Sequence, residues 1–143
     1  MDNLQKFYIN GHWVAPISSA IMPVLNPATE HQIGTVAMGS GADVDQAVAA
    51  AKEAFKTFSQ TSKSERLELL RRLKQATESR FEELAQAMRM EMGAPITMAR
   101  EIQADAAVGH LQGSIDALET LEERIVIDNG YEVVICLLYT AYS

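Results

Sequence analysis

Residues 42–58 read Ala42-Asp43-Val44-Asp45-Gln46-Ala47-Val48-Ala49-Ala50-Ala51-Lys52-Glu53-Ala54-Phe55-Lys56-Thr57-Phe58. Val44, Ala47, Val48, Ala51, Phe55 and Phe58 recur at the i, i+3, i+4, i+7 spacing of an amphipathic helix. Asp43 and Asp45 fall in its first turn, where the helix dipole favours anions. The stretch marks the point at which the chain changes period, with short β-like runs before it and long helical ones after it.

Upstream, Phe7-Tyr8-Ile9 and Trp13-Val14 flank Asn10-Gly11, the strongest short signal for a hairpin. Met22-Pro23-Val24-Leu25 and Gln32-Ile33-Gly34-Thr35-Val36 flank the turn residues Asn26-Pro27-Ala28-Thr29-Glu30. These runs predict a small antiparallel β layer with too few apolar residues to stand as a domain alone.

Downstream, Ser62-Lys63-Ser64-Glu65 has the S-x-x-E form of a capping box. It predicts a long helix carrying Leu67, Leu70, Leu73, Phe81, Leu84 and Met88 on one side, stopped by Gly93 and Pro95. A third helical stretch is expected from about Thr97 to Leu121, with Ala99, Ile102, Ala106, Ile115 and Leu118 inward. Gly109 and Gly113 lie on one face of it, where a second helix could approach closely. Ile125-Val126-Ile127 and Tyr131-Glu132-Val133-Val134 read as strands around a turn at Asp128-Asn129-Gly130. The fold class expected is therefore α/β, or α+β for the chain as it stands: an antiparallel β segment, three helices and a returning strand.

Composition narrows the function. The chain has 143 residues, the usual size of one domain, with 48% hydrophobic and 22% charged residues, which excludes general disorder. Twelve Lys and Arg stand against nineteen Asp and Glu, a net charge of -7 that is the wrong sign for neutralising phosphates, so nucleic acid is not an expected partner. No apolar run reaches the roughly 18 residues of a membrane span, and the start lacks a signal-peptide core, so a cytoplasmic location is expected.

Candidate chemistry is sparse. Cys136 is the only thiol, and its apolar setting, Ile135-Cys136-Leu137-Leu138, reads as a small buried hydrophobe rather than a nucleophile. His12, His31 and His110 have no partner at ligand spacing and read as surface or capped residues. Glu82-Glu83 and Glu122-Glu123 are adjacent on helices, so the members of each pair do not face each other and read as solvated surface. Gly39-Ser40-Gly41 precedes a helix but lacks the phosphate-loop pattern, and reads as a flexible turn. Met88, Met90, Met92 and Met98 read as core gap-fillers in preference to an interaction surface.

Several segments, taken in order, resemble the N-terminal region of the aldehyde dehydrogenase superfamily: Phe7 to Val14, Val24-Leu25-Asn26-Pro27-Ala28-Thr29-Glu30, Ile33 to Val36, Ala42 to Phe55, Ser64-Glu65-Arg66 leading to Leu84-Ala85, and Glu91-Met92-Gly93-Ala94-Pro95. The resemblance implies a β segment and helices that pack on a Rossmann-like cofactor domain, and an arm that joins subunits into a homo-oligomer. It covers residues 1–134 as an incomplete cofactor-binding domain. Residues 135–143 do not resemble the family, and a truncated or frame-shifted reading is expected there.

The reaction implied for the intact enzyme is oxidation of an aldehyde to a carboxylic acid with NAD or NADP. A cysteine thiolate attacks the carbonyl, hydride leaves to the cofactor, and a glutamate-activated water hydrolyses the thioester. None of the catalytic or cofactor-holding residues falls in this chain, and Cys136 does not match the nucleophile. The chain alone is expected to be inactive and to bind no cofactor tightly. One subsidiary site is implied in part, a monovalent cation held at Leu25 and Glu91, and the competing reading is that Glu91 is plain helix surface. The alternatives are a helical interaction module that binds a full-length homologue, or an orphan piece that aggregates through uncovered apolar surface.

Overall fold

The computed structural model describes residues 5–122, 124–127 and 131–134. Asn10 and Gly11 both take positive φ, 51° and 77°, as a two-residue turn of the primed type demands. They join β1 (Phe7–Ile9) to β2 (His12–Val14) in an antiparallel pair. β3 (Ile21–Leu25) and β4 (Gln32–Ala37) form a second antiparallel pair, with a register shift between Val24 and Leu25. The β layer expected from the sequence is thus two separate two-stranded ribbons. Each is too short to supply a buried face.

α1 (Gly41–Phe58) starts at Ser40, whose side chain accepts from the Asp43 N–H while the Asp43 carboxylate accepts from the Ser40 N–H. Gly39-Ser40-Gly41 is therefore a fixed helix cap and not the flexible turn read from sequence. α2 (Lys63–Ser79) begins with the predicted capping box at Ser62 and Glu65. It does not run on to Gly93. The helix breaks at Arg80 (φ -114°, ψ 18°), and α3 (Phe81–Met92) begins anew. In the preceding turn the Thr77 hydroxyl donates to the Leu73 carbonyl and the Ser79 hydroxyl to that of Ala76. Such back-bonding competes with the helical ladder.

Gly93 ends α3 in the left-handed conformation, φ 71°, as predicted. The third helical stretch comprises α4 (Ile96–Met98), a π-helical turn (Ala99–Ala104) and α5 (Asp105–Thr120). The π turn adds a residue to each repeat, so Ala99 and Ala104, five apart, both point inward and are fully buried. That shift overturns the inward placement of Ile102, which is 60% exposed, and of Ala106, which is exposed too. β5 (Arg124–Ile127) and β6 (Tyr131–Val134) close the described chain as a third antiparallel pair, as the sequence predicts. The turn at Asp128-Asn129-Gly130 and residues 135–143, with Cys136, lie outside the described residues.

The core is small and sits where α3 meets the π turn. Ala85, Ala94, Ala99 and Ala104 are buried there, with Phe81, Met88 and Ile96 packed against them. Leu67 and Ile115 are the buried residues of α2 and α5, which pack on each other. Leu73, expected on the inner side of its helix, is exposed, and Leu70, Leu84 and Leu118 are half-buried. Along α1, Val44, Val48, Phe55 and Phe58 are all exposed. Among the described residues no helix is long and apolar enough to cross a membrane.

Candidate functional site

Two joints hold the β1–β2 and β3–β4 ribbons to the helices, and some of the residues singled out from sequence lie at them. The first is at the start of α1. The buried Asp43 carboxylate accepts from the Ile17 N–H at 2.7 Å, the Ser40 N–H at 2.8 Å and the Ser40 hydroxyl at 2.6 Å. The Ile17 N–H contributes most, followed by the Ser40 hydroxyl and N–H, and together they hold the carboxyl down to about 2 against the opposing effect of burial. Asp43 thereby pins the segment after β2 to the helix. Sequence reading missed this joint, although Ser40-Gly41-Ala42-Asp43 has the same capping spacing as Ser62 to Glu65.

Beside it, between β1 and α1, lies an open hollow of about 400 Å³ lined by Lys6, Phe7, Tyr8, Ile9, Gly39, Asp43, Val44 and Ala47. The walls are mostly apolar, and Asp43 already accepts three hydrogen bonds within the chain. A phosphate arriving at this helix start would meet a carboxylate that already takes the capping hydrogen bonds, so the Gly39-Ser40-Gly41 segment does not fit a dinucleotide phosphate.

The second joint lies at the end of α3. The turn after β3 is locked by the Asn26 side-chain oxygen, which accepts from the Ala28 N–H at 2.9 Å, and by the Glu30 N–H donating to the Asn26 carbonyl at 2.8 Å. Pro27 of this turn lies against Gly93: a Cβ at Gly93 would stand 3.2 Å from the Pro27 Cβ. The segments bearing Leu25 and Glu91 are thus brought together, with Leu25 about half exposed on β3 and Glu91 exposed in the last turn of α3. Among the described residues no three His, Cys, Asp or Glu side chains gather as a metal-binding group.

The remaining candidates scatter. His12, His31 and His110 are exposed on separate elements. Glu82 and Glu83 do point apart, but Glu82 is more than solvated surface: both its oxygens accept from Arg100, at 2.6 and 2.9 Å, and one accepts from Gln86. The Arg100 hydrogen bonds and, next, that of Gln86 hold its carboxyl down to about 2. The pair staples α3 to the π turn. Met88 fills the core, whereas Met90, Met92 and Met98 are exposed, contrary to the gap-filling reading. No Cβ at Gly109 or Gly113 would meet another atom, so no helix of the described chain approaches there. Glu122 is exposed, and Glu123 lies outside the described residues.

Comparison with known proteins gives one consistent result. The family model described as "Aldehyde dehydrogenase family" matches residues 13–138. A curated 3-succinoylsemialdehyde-pyridine dehydrogenase from a Pseudomonas species is 45% identical over 111 residues, which is 77% of this chain and 23% of that protein. A crystal structure of a mutant aldehyde dehydrogenase C from Pseudomonas syringae, complexed with NAD+ and octanal, superposes with a TM-score of 0.85 at 46% identity, covering 88% of this chain and 26% of that one. An aldehyde dehydrogenase from Bartonella henselae superposes with a TM-score of 0.86 at 35% identity, covering 89% of this chain and 27% of that one. The chain spans about a quarter of the length of the relatives it matches.

Proposed function

Since the chain belongs to the aldehyde dehydrogenase family, we propose that it represents the N-terminal scaffold of an enzyme that oxidises an aldehyde to a carboxylic acid, and that alone it is inactive. The observation that carries this reading is the family match over residues 13–138 combined with coverage of only about a quarter of each relative. NAD or NADP would accept the hydride in the whole enzyme. The described residues instead hold two ribbons against a helical unit through Asp43 and through Pro27 and Gly93.

The purified chain, mixed with NAD or NADP and a panel of aldehydes, is expected to form no NADH or NADPH; formation of either overturns the claim of inactivity. A homo-oligomeric, cytoplasmic parent enzyme belongs to the same reading. So does a monovalent cation held by the Leu25 carbonyl and the Glu91 carboxylate, since their segments abut at Pro27 and Gly93. Potassium chloride should then raise the melting temperature above that in choline chloride of equal ionic strength, and Glu91→Gln should remove the difference.

A second reading is favoured by the apolar side of α1, where Val44, Val48, Phe55 and Phe58 are about half exposed. In it the chain is a helical interaction module that binds a full-length homologue. Co-purification of the two supports this reading, and failure to bind any homologue sinks it.

A further inference from the structure

We propose that Asn10 is a site of spontaneous deamidation, and that its isoaspartyl product opens the β1–β2 ribbon. The chain has four asparagines, and two of them sit in described turns whose environments differ. Asn26 is followed by Pro27, which has no N–H to act as a nucleophile, and its side-chain oxygen is held by the Ala28 N–H. Asn10 is followed by glycine, both residues are exposed, and nothing lies within 4 Å of where a Gly11 Cβ would be. Among the described hydrogen bonds, none engages the Asn10 side chain or the Gly11 N–H.

A single peptide rotation brings the backbone to the reacting geometry. Asn10 has φ 51° and Gly11 φ 77°, the signs of a type I′ turn. A flip of the intervening peptide to the type II′ form keeps the positive φ of Asn10 and turns its ψ to about -120°, the mirror of the type II value. That rotation carries the Gly11 nitrogen over the Asn10 side-chain carbonyl carbon, and both turn types suit a hairpin. Base removes the Gly11 N–H proton and the nitrogen bonds to Cγ. The protonated base returns its proton to Nδ2 as the Cγ–Nδ2 bond breaks, and ammonia leaves from a five-membered succinimide. Solvent water then adds to one of the two ring carbonyls and breaks its bond to nitrogen, giving aspartate or isoaspartate.

Isoaspartate carries the main chain through the side-chain carbons, adding an atom to a turn that has room for only two residues between Ile9 and His12. Trp13, the single tryptophan, reports on this ribbon because its ring meets the Tyr8 ring edge-on at 5.3 Å. The experiment is ageing of the full chain in mildly alkaline buffer, with peptide mapping by mass spectrometry and Trp13 fluorescence read on the same samples. Asn10 is expected to lose its amide to a mixture of aspartate and isoaspartate while Asn26 keeps its own, with Trp13 emission shifting on the same time course. Asn10→Gln should abolish both changes. Retention of the Asn10 amide for as long as that of Asn26 overturns the proposal. Asn10→Asp suits the same turn and carries the added charge on an unlengthened backbone, so its emission should match the fresh chain. Emission equal to the aged chain's would overturn the role given to isoaspartate.

Discussion

Asp43 shows how a single side chain fixes the geometry of this molecule. Its carboxyl titrates at about 2 instead of its ordinary 3.8, so the stabilisation it provides is full above about pH 4 and is lost as pH falls toward 2. Urea unfolding followed by circular dichroism is expected to show this loss over that range in the parent chain and a flatter profile in Asp43→Asn. Gly93 is the second such residue. Its φ of 71° suits glycine, and an added Cβ would press on Pro27 at 3.2 Å. Gly93→Ala should cost roughly 1–3 kcal/mol, the cost of a non-glycine residue held in a left-handed conformation; a midpoint unchanged in denaturant would show that the turn at Pro27 yields freely. The sequence marked Gly93 as a helix stop because a C-cap glycine there is followed two residues later by the breaker Pro95. It marked Asp43 only as a first-turn anion, because the Ile17 N–H that makes this aspartate a joint lies 26 residues away.

At the scale of elements, caps and breaks set the lengths of the helices. Ser40 and Ser62 each close a reciprocal capping box, and Ser40→Ala or Ser62→Ala should lower stability by about 1 kcal/mol. Equal midpoints for either variant and the parent would deny the cap its role. α5 ends on a cation: the Lys63 ammonium donates to the Glu119 carbonyl at 2.9 Å and to that of Leu121 at 2.8 Å, tying the start of α2 to the last turn of α5. Arg66 does the same for the α1–α2 connection, donating to the Thr61 hydroxyl and the Ser59 carbonyl beneath the Phe58 ring. The break at Arg80 was not visible in the apolar pattern, which continues in phase from Leu67 to Met88. The hydroxyls of Thr77 and Ser79, which bond back to the helix just before it, add nothing to a hydrophobic count. The π turn was equally hidden, since Ala99 and Ala104 select an inward face only once α3 is packed against them.

At the scale of the whole molecule, large apolar side chains among the described residues stay open to solvent: Phe55 and Val48 on α1, Ile102 on the π turn, and Val126 on β5. Replacing Val48 and Phe55 together by Gln should shift stability by less than about 0.5 kcal/mol, as for exposed positions generally, and should lower light scattering in concentrated solution. A larger loss of stability would mean that these side chains are covered in solution. The buried alanines behave in the opposite way. Ala104→Leu has no free volume to occupy and should cost about 1–3 kcal/mol in urea unfolding, as overpacking does.

The sequence by itself determined the order of strands and helices, the hairpin at Asn10-Gly11, the capping box at Ser62, the stop at Gly93 and the family. These are local properties: backbone preference, side-chain reach over three or four residues, and short motifs in a fixed order. The tertiary structure alone decided which apolar residues are buried, that Asp43 and Glu82 are joints and not surface, and that Pro27 rests on Gly93. The contacts that define these joints join groups from 18 to 66 residues apart in the chain. A periodic pattern states which face of a helix is apolar, but only a neighbouring element can bury it.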